Sequence, residues 1–341
     1  MSMRLALRYD MRAPSFGAPP AELYPAAVDQ CEIADAAGFD TVFLAEHHAA
    51  DDGYLPSPIV LASAMMGRTK RMRVHFSAII AVLHNPLRLA EDLAVLDLLS
   101  GGRVEMTLGI GYRLHEYELF GIEKSKRVKV FENVLEIMEQ AWSGEPFEYL
   151  GMTTQILPTP VQQPRPPIYI GGSAEPAALR AAKYGDDFMP ATPGLYEVYA
   201  AERRRLGKPV GAGPGPKGPL FLFVTRDPEA SWEVVGPHVM YTSNSNAEWA
   251  KERGVGSTPY PPIKDIEEMK GNRSFAVVTP EDCVELLAGL GPDAEVTLHP
   301  LMGGLAPAVG TASLELFIAE VLPELQRRGV WVAPADREAT S

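Results

Sequence analysis

The stretch TVFLAEHHAADDG, residues 41–53, passes from an apolar run straight into Glu46-His47-His48. The chain has seven histidines in 341 residues, so an adjacent pair behind a carboxylate invites a chemical reading. Metal binding fits the residue types but not the spacing. Neighbouring histidines point to opposite faces of a strand, whereas zinc motifs place their ligands about one helical turn apart. His84 or His299 would have to complete such a set in space. Acid/base work or hydrogen-bond donation suits a rim imidazole better, because its unperturbed pKa is about 6.5. One structural and one surface histidine would produce the same string, and spacing alone leaves that alternative open.

Three further stretches carry residue types with a use. Gly171-Gly172-Ser173 ends an apolar run and opens a helical one, where free backbone N–H groups and a helix N-terminus favour an anion such as phosphate. A tight strand-to-helix turn is the other reading. Gly109-x-Gly111 lacks the third glycine of a dinucleotide fingerprint, since position 114 is Leu, and so suits close approach of a flat ring to the backbone. Arg127 opens a helix just after Lys124 and Lys126 and reads either as a phosphate-pairing arginine or as part of a solvated basic patch.

These residues need a scaffold, and the sequence supplies a regular one. Strand-like runs occur at 3–9, 41–45, 74–82, 104–111, 166–172, 187–191, 220–226 and 295–300. Helical periodicity follows most of them, at 21–37, 59–69, 86–99, 127–142, 176–184, 195–206 and 313–328, with Gly38 and Gly101-Gly102 as helix ends and Pro86 as a helix start. Eight strands alternating with helices predict a parallel sheet closed as a TIM-like (β/α)8 barrel, in a single domain over 1–341. In such a barrel the working face is the C-terminal rim of the strands. Glu46-His47-His48, Ser77-Ala78, Gly109, Gly171-Gly172-Ser173 and His299 all fall at that rim. Residues 207–219 read as a Gly/Pro-rich surface loop. Residues 227–279 are too long for one crossover and are expected to be an insertion forming a mobile wall or lid over the site.

Composition narrows the partners. The formal net charge of −13 argues against a nucleic-acid partner. No apolar run reaches the 18 or so residues of a membrane helix, and the N-terminus lacks the apolar core of a signal peptide. Cys31 and Cys283 lie in apolar surroundings and read as buried small side chains, not a disulfide framework, which suits a cytoplasmic protein.

Several segments together resemble one family. FLAEHH after GFDTV, then NPLRLAEDLAVLDLLSGGRVEMTLGIG, RPPIYIGGSAEPAALRAAKYGD and LELFIAEVLPEL are similar to the bacterial luciferase-like monooxygenases, in order and in spacing. The likeness covers roughly 3–205 and 280–328. It implies a barrel with insertions, usually dimeric, and use of reduced FMN with O2 as co-substrate, or in one branch a deazaflavin (F420). A separate flavin reductase would supply the reduced flavin, so oxidised FMN is expected to bind weakly. By resemblance, His47 matches the histidine that assists the oxygen chemistry, with Glu46 orienting its neighbour or the loop and His48 structural or substrate-lining. Ser77-Ala78 matches a strand-three bulge behind the flavin ring where a non-proline cis peptide is common. Gly109 matches a position near the ring, Gly171, Gly172 and Ser173 the phosphate turn, and Arg127 a phosphate-pairing arginine. Gly109 and Ile110 stand where luciferase has cysteine and arginine, which speaks against light emission. Met65, Met66, Leu87, Leu93 and Leu96, spread around the second and third helices, point with the resemblance to a homodimer. The substrate, set by 227–279 and 301–310, is not readable.

Overall fold

The computed structural model describes residues 2–192, 194–211, 213–253 and 262–334. Its framework is a curled parallel sheet in the order β11-β1-β2-β3-β4-β7-β8. The strands are β1 (Arg4–Tyr9), β2 (Thr41–Leu44), β3 (Arg73–Ile80), β4 (Val104–Gly109), β7 (Ile168–Gly172), β8 (Asp187–Pro190) and β11 (Glu295–Leu298). Between β4 and β7 a short antiparallel hairpin, β5 (Phe147–Tyr149) and β6 (Met152–Thr154), was not anticipated. The fold is a TIM-like α/β barrel, with helices α1 (Pro20–Ala37), α2 (Pro58–Arg68), α3 (Pro86–Ser100), α5 (Arg127–Trp142), α6 (Glu175–Tyr184) and α7 (Leu195–Arg205) following their strands.

Local chemistry explains the boundaries. Pro20 opens α1, and Gly38 closes it with φ of 95°, a left-handed value that a side chain would resist. The Asn85 side chain accepts from the N–H groups of Leu87 and Arg88 to start α3, and Gly101 ends it. Cys31 and Cys283 are buried and unpaired by disulfide. No described helix is long and apolar enough to cross a membrane.

The seventh expected strand, 220–226, behaves differently. β9 (Phe221–Val224) forms its ladder with β10 (Phe275–Val278), which lies inside the presumed insertion. The segment leading into β9 does run beside β11, where Gly218 N–H donates to the Glu295 carbonyl and Glu295 N–H to that of Pro216. Pro214, Pro216 and Pro219 have no N–H to donate, so a regular ladder cannot close the barrel there. The remainder of 227–279 is mostly one long helix, α8 (Pro228–Arg253), followed by α9 (Ile266–Lys270). Residues 254–261 of that insertion lie outside the described residues. The closing helix expected at 313–328 begins earlier, as α11 (Pro307–Leu316), and continues through a π-helical turn into α12 (Leu322–Arg327).

Alternation sorts the strands into an outer and an inner face. Leu5, Leu7, Val42, Leu44, Val74 and Phe76 pack into the core. Arg8, Phe43, His75, Ser77, Thr107 and Tyr169 take the opposite face, in the lumen. There His75 Nε2 lies 2.8 Å from the Thr107 hydroxyl, and its ring stacks on Tyr169 at 5.0 Å. The apolar residues expected at a dimer surface turn out differently. Met65, Met66, Leu93 and Leu96 are internal, while Val60, Val95, Leu98 and Leu99 of α2 and α3 are exposed.

Candidate active site

The two histidines are held by two different carboxylates. His47 Nδ1 lies 2.9 Å from Glu116 Oε1, and the same oxygen accepts the backbone N–H of His48 at 2.9 Å. Glu116 sits on a short helix, α4 (Leu114–Leu119), that follows the strand-four glycines. Its other oxygen is buried without a hydrogen-bond partner among the described residues. A carboxylate on Nδ1 fixes the tautomer with the proton on that nitrogen and leaves Nε2 as the free lone pair. Tyr112 reaches Nε2 at 3.4 Å. Burial lowers the His47 pKa below its ordinary value, and Glu116 opposes that shift without reversing it. The imidazole is therefore neutral at pH 7.

Glu46 serves the framework beneath. Its Oε2 accepts the N–H of Ile80 at 2.7 Å, and its Oε1 meets His48 Nε2 at 2.9 Å and His84 Nε2 at 2.8 Å. Burial alone would raise its pKa, but the hydrogen bonds from His48, His84 and Ile80 outweigh this and hold it at about 2. Glu46 therefore orients His48 and the end of β3, not His47. The ring of His48 packs on Phe120 at 4.6 Å, whereas that of His47 meets Tyr54, Tyr112 and Trp249.

Beside this pair the backbone is bare. The Ser77–Ala78 peptide is cis, at the point where the β3–β4 register shifts, and Glu46 N–H donates to the Ala78 carbonyl. A Cβ added at Gly109 would lie 3.6 Å from Ala78 Cβ, an ordinary contact. Packing therefore does not require glycine at 109, and the missing side chain leaves room for a flat ring over the cis peptide. Gly172 is the opposite case. A Cβ there would come within 2.2 Å of Ala177 Cβ, so this glycine lets α6 close onto β7. Gly171 is tight as well, with Thr107 Cγ2 at 3.1 Å.

Arg127 opens α5 and donates to the Lys124 carbonyl at 2.6 Å. Its charge is felt by Arg180 of α6, whose pKa is lowered first by burial and further by Arg127, with Glu132 opposing. Arg180 Nε is buried without a partner among the described residues. Two like charges with an unsatisfied donor, on α5 and on the α6 helix that follows the Gly171-Gly172-Ser173 turn, fit a phosphate that would relieve both. The sequence reading missed Arg180, since nothing in its helical spacing distinguishes it from a surface arginine.

Two other contributors were also missed. Arg12, buried, pairs with Asp52 and donates to Asn246 of α8 at 3.3 Å. Trp249 of the same helix has Arg12 and Arg113 each 4.2 Å from its ring centroid, and its ring meets that of His47 at 4.9 Å. α8 thus packs over His47, together with Tyr54, which lies 4.9 Å from the His47 ring. The contacts of Asn246 and Trp249 with Arg12 and His47 join positions over 200 residues apart, and no local pattern announces them.

A family model described as luciferase-like monooxygenase matches residues 10–298. The chain belongs to the luciferase-like monooxygenase family. That family is one of oxidoreductase enzymes, and its match spans the histidine pair, the cis peptide and the Gly171-Gly172-Ser173 turn. Among curated relatives, the oxygenase component of flavin-dependent trigonelline monooxygenase from Acinetobacter baylyi is 27% identical over 175 residues, covering 49% of this chain and 48% of that protein. The chain spans about half the length of the curated relatives it matches. Among solved structures, the oxygenating constituent of 3,6-diketocamphane monooxygenase from Pseudomonas putida, in complex with FMN, superposes with a TM-score of 0.71 at 20% identity, over 95% of this chain and 99% of that one. An F420-dependent secondary alcohol dehydrogenase superposes with a TM-score of 0.67 at 17% identity, over 95% and 99%. At these identities the superpositions establish a luciferase-like barrel fold.

Proposed function

We propose that the protein is a flavin-dependent monooxygenase that takes reduced FMN from a separate reductase and uses O2 to oxygenate a small organic substrate. The observation that carries this reading is His47. Its Nδ1 is fixed by a buried carboxylate, and its Nε2 is left as an acceptor that only the Tyr112 hydroxyl approaches, at 3.4 Å, among the described residues. Ala78, Ser77 and Gly109 would back the ring, while Arg127, Arg180 and the backbone of Gly171, Gly172 and Ser173 would hold the phosphate. Bound reduced flavin supplies the two electrons that let one oxygen atom enter the substrate and the other leave as water. The protein's part is to keep water out with Tyr54, Tyr112 and Trp249, and to accept or return a proton at His47 Nε2. Glu116 holds that nitrogen unprotonated and correctly turned. A homodimer through the exposed Val60, Val95, Leu98 and Leu99 accompanies this reading.

The likeness to an F420-dependent dehydrogenase supports a second reading, hydride transfer with a deazaflavin. Anaerobic titration separates the two. Photoreduced FMN should bind more tightly than oxidised FMN and than reduced F420. Preference for the deazaflavin, or stoichiometric retention of oxidised FMN through purification, would overturn the monooxygenase reading.

A further inference from the structure

Arg8 is the last residue but one of β1, where Leu5, Leu7 and Tyr9 turn outward. The Tyr9 hydroxyl donates to Gln30 of α1 at 3.0 Å, so Arg8 projects from the opposite face, into the lumen. Its guanidinium approaches the Ser77 hydroxyl at 3.5 Å and the face of Phe43 at 5.7 Å. Among the described residues it has no carboxylate within ion-pairing distance. The two arginines at the Trp249 ring are matched. Arg12 pairs with Asp52 and lies 3.8 Å from Asp10, and Arg113 lies 3.7 Å from Glu116.

Asp10 registers the charge of Arg8 but lies closer to Arg12, at 3.8 Å, and is outside ion-pairing distance of Arg8. The β1–β11 register, with Leu7 opposite Leu298, sets His299 beside Arg8. His299 is fully enclosed, and burial together with the charge of Arg8 keeps its imidazole neutral. Tyr54, whose ring lies against His47, also feels the charge of Arg8. Arg8 thus meets Phe43 of β2, the strand that leads to His47, and Ser77 of β3. A half-buried guanidinium with most of its donors unused is costly to keep, and its planar fork is matched to a two-oxygen anion such as a carboxylate.

We propose that Arg8 is the anion anchor of the substrate pocket, and that the substrate is a flat or aromatic carboxylate. Its carboxylate would pair with Arg8 beside Ser77, and its apolar body would lie against the Phe43 and Tyr54 rings, toward His47. This substrate class rests on the oxygenase reading above, but the anchor itself can be tested without turnover.

The test is calorimetric titration of flavin-free protein with benzoate and with its neutral isostere benzamide, in the wild type, Arg8→Gln and Arg8→Lys. Thermal melts check that each variant is folded. Benzoate should bind the wild type, and benzamide should bind at least about tenfold more weakly, as expected for one charge-assisted hydrogen bond. Arg8→Gln should remove that preference and Arg8→Lys should restore part of it. Reduced-FMN affinity should stay within about twofold in all three, because no charge-assisted bond to the flavin is lost. The proposal is overturned if benzoate fails to bind the wild type or binds Arg8→Gln equally well. It is also overturned if Arg8→Gln loses reduced FMN instead, which would assign Arg8 to the flavin. Failure of the wild type to bind any reduced flavin would sink the oxygenase reading while leaving the benzoate result standing on its own.

Discussion

Glu116→Gln keeps the size of a buried side chain and removes its charge. One oxygen of Glu116 accepts two hydrogen bonds, from His47 Nδ1 and from the His48 backbone, each at 2.9 Å. It is also the carboxylate beside Arg113, at 3.7 Å. Bonds to a charged acceptor contribute about 1.5–3 kcal/mol each, so stability should fall by an amount on that order. The chemical effect is separate. Burial lowers the His47 pKa and Glu116 raises it, so removing the carboxylate must lower it further. An enzyme that needs neutral His47 loses activity as pH falls through this pKa. The acidic limb of the variant's pH profile should therefore move to lower pH. Peak kcat should nevertheless drop by roughly 10–100-fold, because Nδ1 is no longer held in one tautomer and orientation. The assay needs no substrate for its decisive part. The His47 Cε1–H resonance, assigned by its loss in His47→Asn, is followed by NMR against pH. Glu116→Asp, which keeps the charge, should recover part of the shift. A His47 pKa that is unchanged or raised in Glu116→Gln would refute the dyad.

Three further outcomes are expected. Glu46 is held at about 2 against an ordinary 4.5, which corresponds to roughly 3 kcal/mol of stability; the sign for a depressed carboxylate makes it present above pH 4.5 and lost as pH falls toward 2. The difference in urea midpoint between wild type and Glu46→Gln should be largest near pH 6 and vanish in acid. Gly172→Ala forces a methyl into Ala177 Cβ and should cost on the order of 1–3 kcal/mol by thermal melting, whereas Gly109→Ala should be nearly neutral for stability and weaken flavin binding. Arg180→Gln should weaken FMN about tenfold or more in equilibrium binding while leaving riboflavin, which lacks the phosphate, unaffected.

The barrel was legible because its signal is local and repeated. Each strand is a short apolar run and each helix carries its own ends, such as Asn85 with Gly101 or Pro20 with Gly38. The rim rule then gathered His47, Ser77, Gly109 and Gly171 without any knowledge of contacts. What failed to show was long-range. Glu116 stands 69 residues from His47 and looks in sequence like one more acidic residue on a polar helix. Arg180 and Trp249 draw their meaning from partners on other elements. β10 was absorbed into the presumed insertion, because a four-residue strand followed by Thr279 and Pro280 looks like the start of a helix. Gly172 was read for its backbone donors, while its missing side chain answers to α6. The dimer residues were drawn from helical spacing, which cannot tell the inward face from the outward one when both are apolar.

The central claim is that His47, and not its neighbour, works on the reaction. The direct measurement is stopped-flow mixing of reduced FMN–protein complexes with O2, comparing wild type, His47→Asn and His48→Asn. The readouts are the rate of flavin re-oxidation and the share of electrons lost as hydrogen peroxide. His48 packs on Phe120 and bonds to Glu46, so His48→Asn should stay within a few-fold of wild type. His47→Asn should change the flavin re-oxidation rate by on the order of 10²–10⁴-fold and divert electrons to peroxide, as loss of an acid/base group predicts. Equal behaviour of the two variants, whether both damaged or both intact, would contradict the account and return the pair to a structural role.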